Sequence, residues 1–143
     1  MNQQDIIMEY RRGDESLAAA KLLAGSRFYN DAMSRAYYAV LHYVRSLLLT
    51  EEIIPQSHHG AFVHFAKSFV KTGIMSAEFN RILGRLQKLR EEADYMTGVA
   101  FGNEEVSFVL ENVCAFQSQT HLILESRGIL AERAGSDSDK GAE

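Results

Sequence analysis

At 143 residues the chain fits one domain with one substantial core, and 46% apolar and 24% charged residues with a single proline exclude a disordered or fibrous protein. The formal net charge is −4, and residues 132–143 carry four acids against two bases, so the rest of the chain is nearly neutral. That excludes a domain gripping nucleic acid by bulk electrostatics and leaves only a local patch or a dimer groove for any RNA contact.

The N-terminus, MNQQDIIMEYRRGDE, lacks the basic-then-apolar pattern of a leader, and no apolar run nears the roughly 18 residues of a membrane span. A cytoplasmic protein without a membrane partner is therefore expected. Gly25-Ser26, EEIIPQS, KTGIMS and TGVAFGN each combine a glycine or proline stop with a Ser or Asn able to cap the next helix. Between them the spacing predicts helices over 4–24, 27–50, 58–71, 77–96 and 104–127. No segment alternates with the two-residue period of a strand, so the fold is expected to be all-α. Short loops make long neighbours antiparallel, which gives an up-and-down bundle of four long helices with the short 58–71 helix across it.

The first helix carries its apolar face on Ile6, Tyr10, Leu17, Ala20 and Ala24. The second has two stripes. Met33, Tyr37, Val40, Leu41, Val44, Leu47 and Leu48 form a core face, while Asp31, Arg35, Tyr38, His42, Arg45 and Ser46 fall opposite, with Ala39 among them. Arginine and aromatic side chains are what protein surfaces use to meet partners, so this second stripe predicts face-to-face contact in a homodimer; the plainer alternative is a solvated face with an Asp31–Arg35 pair. Arg35 and His42 also form an R-x6-H pair, able to bracket a phosphate from one face although about 10 Å apart along the axis.

In the third segment His58 and His59 start a helix and diverge, so no shared metal is expected and a helix-start or interface role remains for His58. His64 reads as a satisfied, partly buried imidazole. The fourth helix buries Phe79, Ile82, Leu83, Leu86 and Leu89; Arg90 sits on the same stripe with Asp94 one turn on. An arginine there is either half of a structural ion pair or a cleft arginine oriented by its aspartate. The fifth helix presents Val106, Val109, Leu110, Val113, Phe116 and Leu124. It holds the lone Cys114, read as a core thiol, and His121, read as having no carboxylate or cysteine at metal spacing. Residues 1–130 are thus one domain and 131–143 a disordered polar tail.

The stretch ESLAAAKLLAGSRFYNDAMSRAYYAVLHYVRSLLL, followed by SHHG, FAKSFVKTG and LQKLREEADY, resembles the small HEPN-domain proteins. More narrowly it is similar to a stand-alone branch with a DAxSRAYYAxxH helix, here Asp31–His42, and an RxxADY end to helix four, here Arg90–Tyr95. The likeness covers about residues 10–125. It implies a helical bundle that dimerises through its long helices, a toxin-like role beside a nucleotidyltransferase-type antitoxin and, in many members, metal-independent RNA cleavage without a cofactor. In those ribonucleases an arginine and a histidine four to six residues on meet their dimer mates, the arginine steadying phosphate charge and the histidine moving a proton. Here the slot five beyond Arg90 holds Tyr95, a poor base at neutral pH. Three readings follow: a partner-binding dimeric module, a ribonuclease using Arg35 with His42 or Arg90 with Tyr95, and a non-catalytic domain whose arginines hold the phosphate of RNA or a nucleotide.

Overall fold

Asn2 opens the first helix: its side-chain oxygen accepts the backbone N–H of Asp5 at 3.1 Å, and α1 runs over Gln3–Gly25. The computed structural model describes residues 2–95 and 101–130. Arg27, at φ 66°, turns the chain into α2, Tyr29–Thr50. Ser57 caps α3, His58–Phe65, by accepting from the N–H of Gly60 at 2.9 Å. The same helix continues as one π-helical turn over Ala66–Val70, where the 58–71 segment was expected to be regular α-helix. Helices α4, Ala77–Tyr95, and α5, Asn103–Ser126, complete the order, and the described residues contain no strand.

The helix count and the all-α class agree with expectation, but two of the expected caps do not form. Phe28, not Ser26, stands before α2 and makes no side-chain cap. Asn103 lies inside α5, whose preceding Gly102 has no side chain; there Glu105 accepts the Gly102 N–H at 3.4 Å, half of a reciprocal capping arrangement. The 131–143 tail and part of the TGVAFGN turn lie outside the described residues.

Cross-helix pairs set the directions. The three-residue turn at 26–28 folds α2 back antiparallel on α1, and Glu9–His42 and Asp14–Tyr43 join the two; Tyr37 meets Arg90 and Ser34 meets Asp94, so α2 and α4 are antiparallel too. Tyr43 meets Phe116 and Thr50 meets Arg127, which makes α2 and α5 parallel diagonal partners of an up-and-down bundle. Because α2 packs on α1, α3, α4 and α5, twelve of its 22 residues are buried. This corrects the expected second stripe: Ala39 and Ser46 belong to the core, and Ser46 satisfies its hydroxyl by donating to the Tyr43 carbonyl at 2.6 Å. A central helix is covered on more than one side, so its polar face narrows.

Aromatic rings fill the middle of the bundle, with Phe116 against Tyr43, Phe65 and Phe79. Gly13 of α1 lets the Tyr43 ring pass, since a Cβ there would lie 2.4 Å from Tyr43 Cε1. At one end of the bundle Arg127 donates to Thr50 Oγ1 at 2.7 Å, pairs with Glu51 at 3.4 Å and lies over the Phe69 ring at 5.3 Å.

Candidate functional site

The other half of the bundle gathers the residues that carry chemistry. Tyr37 and Tyr38, adjacent on α2, set their rings edge to face at 5.3 Å. Tyr37 is buried, 1% exposed, and the Arg90 guanidinium of α4 stacks on its ring at 4.6 Å. Arg35 lies over Tyr38 at 5.1 Å. His58, the first residue of α3, contacts both rings at about 6 Å and shares a hydrogen bond of 3.2 Å between its Nδ1 and the Tyr37 hydroxyl. Three helices therefore meet on one tyrosine pair.

Arg90 is fixed from behind. Its Nη1 donates to Asp94 Oδ2 at 3.2 Å, and the other oxygen of Asp94 accepts from the Ser34 hydroxyl of α2 at 2.7 Å. The Arg90 side chain is only 13% exposed, and its Nε is buried without a hydrogen-bond partner. Burial works against its charge, yet the Asp94 carboxylate, together with the neighbouring tyrosine hydroxyls, keeps the guanidinium more firmly protonated than usual. Beside it Lys88, Glu91, Glu92 and Tyr95 line an open cleft of about 530 Å³. Tyr95 is 75% exposed there.

His42 turns the opposite way. Its Nδ1 lies 2.8 Å from Glu9 Oε2 on α1, whereas Arg35 lies over Tyr38 of its own helix. Burial pushes the Glu9 carboxyl up, but the hydrogen bond and charge of His42, with Arg45 and Arg12, hold it below the usual glutamate range. The stripe expected to face a second copy is thus faced in good part by the chain's own α1 and α3. The alternative Asp31–Arg35 pair is also missing from the ion pairs of the described residues: Asp31 is exposed, and Arg35 is over Tyr38.

Arg45, one turn beyond His42, is half-buried and has no hydrogen-bond or ion-pair partner among the described residues. Its charge reaches His58: burial first, then Arg45, Arg90 and His42 in that order, hold the His58 imidazole below the ordinary histidine range. Burial likewise pushes the Tyr37 hydroxyl up, with Arg90 opposing, so Tyr37 stays protonated at neutral pH.

The sequence reading missed three participants. Tyr37 was assigned to the core alone, although the core ring presents its hydroxyl to His58 and its face to Arg90. Glu9 and Ser34 carried no signal, because their partners lie 33 and 60 residues away. His121 needs correction as well: Glu125, one turn on, stands 3.1 Å from its Nε2, and its Nδ1 meets the Tyr10 hydroxyl at 3.0 Å, so it ties α5 to α1. Cys114 is half-buried rather than fully in the core. The described residues hold no cluster of three or more candidate metal ligands, and none of their helices is long and apolar enough to cross a membrane.

An all-helical bundle with an arginine–aspartate pair closing its fourth helix over an aromatic second helix defines the class. The sequence model described as the HEPN domain matches residues 9–118, and the chain belongs to that family. Among its relatives, a Methanocaldococcus jannaschii protein named "Putative toxin MJ0142" is 35% identical over 119 residues, 83% of this chain and 81% of the relative. A second from the same organism, named "Putative toxin MJ0605", is 38% identical over 98 residues, 68% of this chain and 73% of the relative. A Thermotoga maritima UPF0332 protein is 32% identical over 127 residues, 87% of this chain and 96% of its own length.

Proposed function

We propose that this chain is a toxin-like HEPN module of the cytoplasm that acts as a homodimer, is held in check by a nucleotidyltransferase-type antitoxin, and binds through the Tyr37–Arg90 cleft rather than cutting. The observation that carries this reading is the state of Arg90. It is stacked on Tyr37 and held by Asp94 at the edge of a cleft, while the slot where ribonuclease members carry a histidine holds the exposed Tyr95. The names of the two archaeal relatives support the toxin-like role. Phe28, Arg35 and Tyr95, each exposed, offer the aromatic and arginine surface a second copy would cover. Inducing the gene with and without a candidate nucleotidyltransferase-type antitoxin gene tests this. Growth arrest relieved by co-expression, with co-purification of the two proteins, is the expected result; unaffected growth and no complex would overturn it.

One observation favours the ribonuclease alternative. Arg90 and His58, 32 positions apart in sequence, meet on Tyr37 and supply an arginine and a histidine at one place. Incubating the purified protein with RNA in excess chelator decides between the readings. Cleavage abolished by His58→Ala would establish the enzyme, and intact RNA would leave the binding module.

A further inference from the structure

We infer that the outer face of α1 is a docking surface for the chain's own acidic C-terminal segment, residues 131–143, whose carboxylates sit on Arg11 and Arg12. The contact is independent of the Tyr37–Arg90 cleft, whose residues belong to α2, α3 and α4. It rests on where the described chain ends, on the length that follows and on the order of charges.

The last described residues turn the chain toward α1. After α5, Gly128 takes the left-handed conformation at φ 76°; the Gly128 N–H donates to the Glu125 carbonyl at 3.0 Å and the Ile129 N–H to the Leu124 carbonyl at 2.8 Å. Paired bonds of this kind close a helix end and reverse the chain instead of letting it run on into solvent. Ile129 and Leu130 then pack back against the core, and Ile129 lines a hollow together with Gln3 and Ile6 of α1. The segment therefore starts beside the first turns of α1. Its 13 residues extend to about 45 Å at most, whereas Arg12 lies only about 14 Å along the helix from Gln3.

The surface within that reach suits an acidic segment. Gln4, Ile7, Met8, Arg11, Arg12 and Glu15 line a hollow of about 270 Å³ on α1. Met8 is 56% exposed, and the exposed Arg11 and Arg12 enter no ion pair among the described residues. Glu9, on the neighbouring turn, is already held by His42. The segment AERAGSDSDKGAE carries Glu132, Asp137, Asp139 and Glu143 against Arg133 and Lys140, with alanines small enough to lie on Ile7 and Met8. Running up α1 from Gln3, it brings Asp137 and Asp139 ahead of Lys140, just as α1 presents Arg11 and Arg12 ahead of Glu15. Exposed ion pairs are individually weak, and the tether is what makes a few of them suffice, because the segment is held at high effective concentration. The result is a removable cover, which salt or a partner bearing a more acidic segment displaces.

The test is photo-cross-linking in the full chain with Met8→p-benzoylphenylalanine, its helix content checked by circular dichroism. Isotope-labelled and ordinary chains are mixed, so that mass spectrometry separates links within one chain from links between two. The expected product joins the probe to the 131–143 segment of the same chain. Its yield should fall about twofold or more when NaCl rises from about 0.05 to about 1 M, since the screening length then shrinks to about 3 Å. Arg11→Gln combined with Arg12→Gln should lower it as much at low salt. Absence of this product would overturn the proposal, as would links formed only between chains, which would give the face to a second copy. An intrachain product that neither salt nor the arginine changes diminish would also overturn it, because tethering alone then accounts for the link. So would a higher yield from the same probe at Lys67, exposed on the π-helical turn that reaches this end of the bundle through Phe69 and Arg127.

Discussion

His58 holds the clearest residue-scale consequence, because its environment penalises the charged ring. The unfolded chain takes up this proton near the ordinary value of 6.5, whereas the folded chain, with burial and the charges of Arg45, Arg90 and His42 against it, does so only at lower pH. The unfolded state therefore binds more protons in that window, so stability is complete above about pH 6.5 and falls as pH drops toward the folded value. Urea midpoints measured in phosphate-free buffer from pH 7.5 to 5.5 should decline, and His58→Gln should flatten the decline. Glu9 acts in a lower window: its depressed carboxyl contributes above the ordinary 4.5 and loses that contribution as pH falls through its folded value. The Arg90–Asp94 pair is expected to respond asymmetrically. Asp94→Ala strands a nearly buried guanidinium and a Ser34 hydroxyl and should cost about 1–3 kcal/mol. Arg90→Met keeps apolar bulk on Tyr37, leaves a carboxylate that water can reach, and should cost less than about 1 kcal/mol. Equal urea midpoints for the two variants would show the pair to be solvated.

Element by element, the sequence was most legible where a signal is local. All five helices are visible in the 3.6-residue spacing, and Ser57 is a cap that the sequence announces. What escaped is whatever depends on a partner far along the chain. The polar stripe of α2 looked like an outer surface because periodicity cannot show that α1 and α3 lie on it. Gly13 is another such case: in sequence it is a weak point in a helix, but in the fold it is the gap through which Tyr43 crosses α1. Gly13→Ala should raise the intrinsic preference for helix by about 1 kcal/mol yet drive a methyl into a ring fixed by Asp14 at 2.7 Å. Overpacking of this kind costs about 1–3 kcal/mol, so a net loss of thermal stability is expected. An unchanged or raised melting temperature would mean that the ring yields.

For the molecule as a whole, near-neutral bulk charge goes with a cleft of balanced charge, where Lys88 and Arg90 stand beside Glu91 and Glu92, and only the first could be read from composition. The candidate site was half legible: Arg90, Asp94, Tyr38, Arg45 and His58 were all singled out, but the meeting of Arg90 and His58 on Tyr37 was not, since it joins positions 37, 58 and 90 through tertiary packing. Arg35 and His42 show the converse case, one helical face on which His42 is taken by Glu9 of α1 while Arg35 lies over Tyr38 of its own helix. If the exposed end of this cleft is where two copies meet, light scattering should give twice the 16.1 kDa chain mass at micromolar concentration. Tyr95→Arg, a change at a side chain that packs on little within its own chain, should then shift the population toward monomer while leaving the helix content as it was.

The π-helical turn at Ala66–Val70 carries one residue more per hydrogen-bonded ring than its α-helical surroundings, as the bond from the Lys71 N–H to the Ala66 carbonyl at 2.9 Å records. Such a turn is what a single inserted codon leaves in a helix that could not afford to rotate its ends. Phe65 and Phe69 stack at 6.0 Å across it, both buried in the core. Excising Ser68 should therefore restore an ordinary α-helix with its ends unrotated, whereas removing one residue from a regular helix such as α2 should swing everything after it by about 100°. Length variants gathered from a random deletion library should tolerate loss of one residue in 66–70 far better than loss of one residue inside α2.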